Sequence, residues 1–569
     1  MLLTAAVQQP SPSKKYLVKQ LLANTGRKTC LISYRKMSTL PPIIWSIAGN
    51  DSGGGAGLTA DSRAADALGV HLCPVVAAIT AQNSQGVQLL QPTAPEVLEA
   101  QLVALAEDMP PAVIKTGLLG SAENVGVVAG WVQGQRQVNP DLQLVVDPVL
   151  RSSSGSDFVD EDLLTAYREL LLPLATLITP NQSEAQRLGL QVAEIYEHPS
   201  PSLCVTGGDA PDQPDWAMDW VQSPQAVGWL ALPRVATTHN HGTGCTFATA
   251  AAAALALGFV MADALVLAKM ATTHALQNAY AAGAGAGPVH AQPGFALRPE
   301  LMPYMGWGDA LPTICETAPA VDRPTSALAA APLAGYIYAI VESIDRLNEV
   351  LDAGAKLVQL RIKRPENADN NWLAQLQTDI QAAVALAAHY GAQLFINDHV
   401  GAAMQAKAAG LHVGQEDWEQ LSQTVRKVLL RNLQAGRVQI GISSHSLWEL
   451  ARARSLAPSY IACGPVWATT TKDMPWLPQG LDNLSWWARM AGCPVVGIGG
   501  VLQLEQATQI AQTGAAAACI VRGIGERPAE TLPQWLSAFA QGQAAAQAQA
   551  AVWPAPALPH SSLPAAPPL

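Results

Sequence analysis

Between Gly335 and Leu532 eight short apolar runs recur at a steady spacing: "GYIYAIV", "KLVQLRI", "AQLFIND", "GLHVG", "VQIGIS", "YIACG", "CPVVGIGG" and "AACIVRG". Helical stretches separate them all. Runs that are apolar throughout, rather than at every second residue, are covered on both faces and belong to parallel strands. Eight such β/α units in roughly 200 residues is the count that closes a compact (β/α)8 TIM barrel. On that fold the active site forms at the carboxyl ends of the strands, so the residues ending each run are the ones to read for chemistry.

A second set of runs lies upstream: "IIWSIA", "CPVVAAIT", "AVIKTG", "QLVVDPV", "ATLITP" and "SLCVTGG", with helical segments such as "TAPEVLEAQLVALAED" between them. The same argument makes this half a layered α/β domain. A chain of 569 residues is too long for one core and suggests about two to four domains. Between the halves Gly, Pro and Ala dominate and periodicity fades, which places a linker at 291–332. The division expected is a leader at 1–40, an α/β domain at 41–290, the linker, a barrel at 333–540 and a low-complexity, disordered tail at 541–569. The leader has several Lys and Arg and no Asp or Glu. It reads as a disordered leader, or as sequence upstream of a start at Met37, in preference to a transit peptide.

Composition narrows the function classes. The net charge of −11, with no basic block in the body of the chain, argues against non-specific nucleic-acid binding. Ala248 to Val260, the longest apolar run, is too short to span a bilayer. The eight cysteines are scattered with no C-x-x-C pair, which disfavours a disulfide framework or a structural zinc site and fits a reducing cytoplasm. Small-molecule substrates are the partners that fit, with a homo-oligomer allowed.

Two turns in the first half are suited to anions. "AGNDSGGGAGLTAD" (48–61) follows the first run, and its glycines let backbone N–H groups approach a ligand, with Asp61 on the helix that follows. "HGTGCTFATA" (241–250) opens a helix with Gly242 and Gly244, where unpaired N–H groups and the helix dipole favour negative charge. Such a helix start can stabilise charge on a phosphoryl group in transfer. Cys245 at that place is expected to have a lowered pKa and to work as a thiolate. A tight turn with a buried cysteine is the competing reading.

In the second half, Gln359, Arg361 and Lys363 alternate in "VQLRIK" and are expected on one side of the strand as a diphosphate grip. Asn397 and Asp398 end the third run, and Asp417 follows the fourth. Two carboxylates from adjacent strand ends suit Mg²⁺. Ser443 follows strand five. Thr469, Thr471 and Lys472 offer two hydroxyls and a cation to a leaving group after strand six. Gly499, Gly500 and "CIVRGI" end strands seven and eight, the usual phosphate site of a barrel.

From Ile43 to His290 the chain resembles hydroxymethylpyrimidine/phosphomethylpyrimidine kinases of the ribokinase-like fold, a three-layer α/β arrangement. Seven segments carry the resemblance in order: "SIAGNDSGGGAGLTAD", "AAITAQNSQGVQ", "IKTGLLGS", "VVDPVL", "LITPNQSEA", "GTGC" and "GPVH". It implies ATP as co-substrate, with Asp61 and Gln82 hydrogen-bonding an aminopyrimidine and the backbone near Gly49 and Val149 lining its pocket. It also implies Asn181, Glu184 and Asp147 near the phosphates and Mg²⁺, an anion hole of Gly242, Thr243 and Gly244, and Cys245 activating the substrate hydroxyl. The family's "KGGH" is here "TGGD" (Thr206 to Asp209), so a cation near the nucleotide is missing. A pyridoxal kinase is the alternative in this fold, disfavoured by "GTGC" and "TAQN".

Over about Gly335 to Leu532 the chain resembles thiamine-phosphate synthases. That resemblance implies dissociative coupling of hydroxymethylpyrimidine diphosphate with thiazole phosphate. Arg361, Lys363, Asn397, Ser443, Thr471 and Lys472 would hold the diphosphate, Asp398 and Asp417 Mg²⁺, and Gly499 with Gly500 the thiazole phosphate. Ile362 replaces a usual Glu, and His399 a common acidic residue. A barrel that binds thiazole phosphate without catalysis is the alternative, disfavoured by the intact "TTTK", "ND" and "QLR". The first resemblance implies a product that the second implies as substrate.

Overall fold

The computed structural model describes residues 40–151, 160–190, 201–208, 214–317, 333, 335–469, 475–549 and 558–563. The leader at 1–39 therefore lies outside the described residues, as do Asp209, Thr471 and Lys472.

All six upstream runs become strands of one sheet: β1 (Ile43–Asp51), β2 (His71–Asn83), β4 (Val113–Thr116), β5 (Gln143–Val146), β6 (Leu177–Ile178) and β7 (Ser202–Val205). They pair in parallel in the order β2-β1-β4-β5-β6-β7. Antiparallel strands extend both edges: β3 (Gly86–Pro92) beside β2, and β8 (Trp216–Gln222), β9 (Val227–Pro233) and β10 (Tyr304–Met305) beyond β7. Successive side chains of β1 point to opposite faces, as a strand requires. Ile44 packs with the helices Gly57–Leu68, Thr243–Ala256 and Met261–Gln277, whereas Trp45 packs with Leu98, Val125 and Val128 on the other side. That is the three-layer arrangement expected of a ribokinase-like domain.

The alanine run explains how the helix Thr243–Ala256 gets so close to its neighbours. Ala250 through Ala254 are all fully buried, because a methyl group is the largest side chain that fits between this helix, the sheet and the helix Met261–Gln277.

The eight downstream runs close into a parallel barrel of β11 (Ile337–Val341), β12 (Leu357–Leu360), β13 (Gln393–Asn397), β14 (Gly410–Val413), β15 (Gln439–Ser444), β16 (Tyr460–Cys463), β17 (Val495–Gly497) and β18 (Ala517–Ile520). β18 returns to pair with β11. Tyr338, Phe395 and Tyr460 fill the interior, and Ile337 and Ala339 face the outer helices.

Two stretches read from composition as linker and tail carry structure. Within 291–332, the turns Phe295–Leu297 and Pro299–Leu301 precede β10, and Phe295, Leu301, Met302 and Met305 are buried. Pro and Gly build turns on a packed surface here. Within 541–569, the helix Pro528–Gln549 runs past the expected boundary, and Ser562 is buried. The expectation of a disordered tail is thereby corrected for these residues.

Candidate functional site

The glycine-rich turn is organised by a residue the sequence reading passed over. The Asp51 carboxylate accepts hydrogen bonds from the N–H groups of Gly53, Gly55 and Ala56 at 2.8–2.9 Å. Its other neighbour is His241, with Nε2 3.1 Å from Asp51 Oδ2 and 3.0 Å from Gln82 Nε2. Burial pushes the Asp51 pKa up, but His241 and the three amides outweigh it and hold the carboxyl below its ordinary range. One imidazole thus joins the turn after β1, the end of β2 and the loop before "GTGC". The signal was an Asp inside a Gly-rich turn and a His next to Gly242.

Gly242 makes this junction sterically feasible. Its φ of 85° lies in the left-handed region, and a Cβ there would meet Gly55 O at 2.2 Å. The Thr243 hydroxyl donates to Asn240 O at 2.6 Å, so that side chain fastens the turn, while Gly244 stays exposed at the start of the helix. The first N–H groups of a helix have no partner within it and leave this end suited to an anion.

Asp61 does not reach this cleft. It is fully buried, accepting two contacts from Lys115 Nζ at 2.9 Å, one from Ser46 Oγ at 2.6 Å and one from Thr249 Oγ1 at 2.7 Å. The expected contact with an aminopyrimidine is replaced by a structural hub that joins the helix Gly57–Leu68 to β1, β4 and the helix Thr243–Ala256. Burial pulls the Lys115 pKa down, but Asp61, helped by Asp147, more than offsets it and the ammonium is firmly charged. A lysine in the apolar run "AVIKTG" was the sequence signal.

Cys245 corrects a second expectation. Its thiol is pushed up to about 12, because burial and the charges of Asp61 and Asp147 outweigh Lys115 and the Gly57 N–H. At neutral pH it is a thiol.

Asp147 follows β5 and Glu184 lies in the helix after β6, where the charge of Asp147 acts on it. Burial raises Asp147 to about 6 against the pull of Lys115, whose Nζ is 4.0 Å away. Burial and Asp147 raise Glu184 to about 7. Asn181 and Glu184 are partly spent on each other: Asn181 Oδ1 accepts from Glu184 N and Glu184 Oε2 from Asn181 N, both at 2.9 Å, capping the helix Gln182–Leu188. Asp147 Oδ2 has no hydrogen-bond partner among the described residues. Two mutually repelling carboxyls, one with a spare buried oxygen, fit a hard cation that takes its remaining ligands from phosphate and water, as Mg²⁺ does. Gly49 is buried beside Leu118, and Val149 N donates to Asp147 O at 2.9 Å.

The barrel holds a cavity of about 220 Å³ at the carboxyl ends of its strands. Gln359, Arg361, Asn397, Asp398, Asp417, Ser443, Thr469, Gly499 and Gly500 all line it. Lys363 does not: it lies three residues past the end of β12 and is exposed, so the expected period-two trio keeps two members. Asp398 sits at φ 60°, unusual for a residue with a side chain, and accepts from Asn397 Nδ2. Burial and Asp417 raise its pKa to about 6, opposed by Arg361 and Asn397. This second pair of repelling carboxyls also fits Mg²⁺. Gly499 and Gly500 have φ of 98° and 71°, and a Cβ on either would come within 2.7 Å of Pro465 or Trp467.

From the cavity lining into the barrel interior runs a chain of polar groups, of which Tyr338, His412 and Tyr460 were not expected from the sequence. Gln359 Nε2 donates to Tyr338 OH at 3.0 Å, Tyr338 and Tyr460 share a bond of 2.7 Å, and His412 bridges Tyr460 OH (2.7 Å) to Ser443 Oγ (3.1 Å). Burial, Arg361 and His445 push the His412 pKa down to about 3, so the imidazole is neutral.

The phosphomethylpyrimidine kinase family profile matches residues 51–290, and the thiamine monophosphate synthase profile matches residues 337–524. The chain is 31% identical over 502 residues to the thiamine biosynthetic bifunctional enzyme TH1, chloroplastic, of Arabidopsis thaliana, covering 84% of this chain and 88% of that protein. It is 39% identical over 260 residues to a hydroxymethylpyrimidine/phosphomethylpyrimidine kinase of Synechococcus elongatus, covering 44% and 96%. A pyridoxal kinase structure from Staphylococcus aureus, 29% identical, covers 44% of this chain and 93% of its own, with a TM-score of 0.38. The chain is a fusion of a kinase domain and a thiamine-phosphate synthase domain, and it belongs to the family of bifunctional thiamine biosynthetic enzymes.

Proposed function

We propose that the first domain phosphorylates 4-amino-5-hydroxymethyl-2-methylpyrimidine twice, using ATP, and that the barrel couples the resulting diphosphate with thiazole phosphate to give thiamine phosphate and pyrophosphate. The observation that carries this reading is the pairing, on one chain, of an anion-suited helix start at Gly242–Cys245 with a barrel cavity lined by Arg361, Asn397, Ser443 and two carboxylates. Gln82 and the backbone near Gly49 and Val149 receive the aminopyrimidine. The amides of Gly242 and Gly244 hold charge on the transferring phosphoryl group. Phosphoryl transfer has a loose transition state, so the proton can leave the substrate hydroxyl late. A protonated Cys245 suits that role by holding the hydroxyl in line. Asp147 and Glu184 in one site, and Asp398 and Asp417 in the other, are the residues to hold Mg²⁺, which when bound neutralises phosphate charge. In the barrel Arg361, Asn397 and Ser443, together with Thr469, Thr471 and Lys472, grip the departing pyrophosphate, and Gly499 and Gly500 hold the thiazole phosphate through backbone N–H groups.

No helix among the described residues is long and apolar enough to cross a membrane, and no disulfide links the cysteines among them. We place the enzyme in a reducing compartment, the cytoplasm or an organelle interior.

Replacing one side chain tests the assignment. Cys245→Ala is expected to lower kinase turnover by about 10²-fold or more, while synthase turnover with supplied pyrimidine diphosphate stays within twofold. A variant that fails with supplied diphosphate contradicts two separate sites.

A further inference from the structure

The segment 558–563 lies beyond residue 524, where the synthase profile ends, yet it is tied to the wall of the synthase cavity. Its contacts converge on a short stretch at the start of the helix Gly480–Met490. Leu477 N donates to Ser562 O at 2.8 Å. His560 N donates to Asn483 Oδ1 at 3.0 Å, and Asn483 Nδ2 donates back to His560 O at 3.1 Å. His560 Nε2 lies 2.9 Å from Gln479 O, and Ser562 Oγ donates to Gln479 Oε1 at 3.2 Å. Gln479 and Asn483 are fully buried, so these bonds satisfy groups that water does not reach.

Gln479 carries the connection inward. Its backbone N–H donates to Pro465 O at 2.7 Å, and its Nε2 donates to His445 O at 2.7 Å. His445 stacks on Trp476 with ring centroids 5.1 Å apart and planes 11° apart. Pro465, His445 and Trp476 all line the cavity, as does Thr469.

We propose that the C-terminal segment is a positioning strap for the synthase site: His560 and Ser562 hold Gln479, and Gln479 holds the His445–Trp476 pair at the cavity mouth. The directed polar pattern supports this role over simple coverage of an apolar surface. Freed of the strap, Leu477 N, Gln479 O and the Asn483 amide lose their partners, and the stretch 475–483 loses the anchors that fix it. The wall that Trp476 forms then loosens, and the ligand pays for ordering it again on binding.

The inference rests on the proposed synthase reaction, and the test separates the two. Chains ending at Ala557, and the variant His560→Ala, are compared with the full chain for synthase kcat and KM with supplied pyrimidine diphosphate and thiazole phosphate. Kinase turnover is measured on the same preparations. Hydrogen exchange of residues 475–483 reads the strap without any turnover. The expected result is a KM for the pyrimidine diphosphate raised fivefold or more in the shortened chain and less in His560→Ala. Kinase kcat stays within twofold, and the amides of Leu477 and Gln479 exchange at least tenfold faster. Unchanged exchange and unchanged synthase constants would overturn the strap, and so would a parallel fall of both activities. A full chain that turns over no synthase substrate contradicts the reaction, while the exchange result still decides the strap.

Discussion

At the scale of single residues, the chemistry of the kinase half depends on charges that no water reaches. Asp61 and Lys115 are both fully buried, and their bond is the link between β4 and the helix Gly57–Leu68. Removing one partner leaves the other as an uncompensated buried ion, so Lys115→Met should cost about 3–5 kcal/mol. Adding Asp61→Asn to it should recover part of that loss, because the carboxylate bonded to Lys115 is then removed as well, leaving Asp147 as the remaining acid of the cluster. Urea unfolding of the single and double variants measures both. Equal stability of Lys115→Met and the parent would contradict the picture. The residues that line the barrel cavity were legible because strand ends must carry a barrel's chemistry, and Asn397, Asp398 and Ser443 end runs that period and apolarity define. Asp61 was misread because motif position says nothing about depth: the same helix that starts at the anion turn carries its fifth residue into the core. His412, Tyr338 and Tyr460 were missed because a lone polar residue in an apolar run reads as packing until its partners on other strands are known.

At the scale of elements, parallel strands were readable and antiparallel ones were not. A run buried on both faces is apolar throughout, whereas β8 places Asp219 in its middle, where Lys269 Nζ meets it at 2.8 Å. β10, two residues long, has no period to detect. The alanine helix is readable in composition but its tolerance is a matter of space. Ala252 is fully buried, and Ala252→Leu adds three carbons where none fit, which should cost about 1–3 kcal/mol. A thermal melt that is unchanged would show a gap between the helix and its neighbours that the packing does not contain. The described parts of the linker and tail, 291–317, 541–549 and 558–563, depart from expectation for one reason: Pro, Gly and Ala are poor in side-chain chemistry but pack well once turns set them against a surface.

At the scale of the whole molecule, the two halves share a junction. Asp263, on the helix Met261–Gln277 of the kinase half, accepts from Trp448 N at the start of the barrel helix Leu447–Ser455, at 2.9 Å. Arg452 of that helix lies between Trp307 and Trp448, 4.7 and 5.0 Å from their ring centroids. Burial raises Asp263 to about 7, with Glu449 adding to the effect against the amides of Trp448 and Leu447. A carboxyl whose folded pKa exceeds its ordinary value takes up a proton on folding. Its contribution is therefore full below about pH 4 and is lost as pH rises toward about 7, by at most about 1.4 kcal/mol per unit. Asp263→Asn keeps the acceptor without the charge, so its melting temperature relative to the parent should rise between pH 5 and pH 8; a constant difference would contradict a neutral Asp263. The two-domain order was legible in the sequence, but this contact was not, because nothing local marks a helix cap supplied from 185 residues away. The central claim is that one chain carries both reactions in series. The purified chain is incubated with hydroxymethylpyrimidine, thiazole phosphate, Mg²⁺ and ATP. Thiamine phosphate should form with no other protein present, and no product in this mixture, while control enzymes convert the same substrates, would contradict the account.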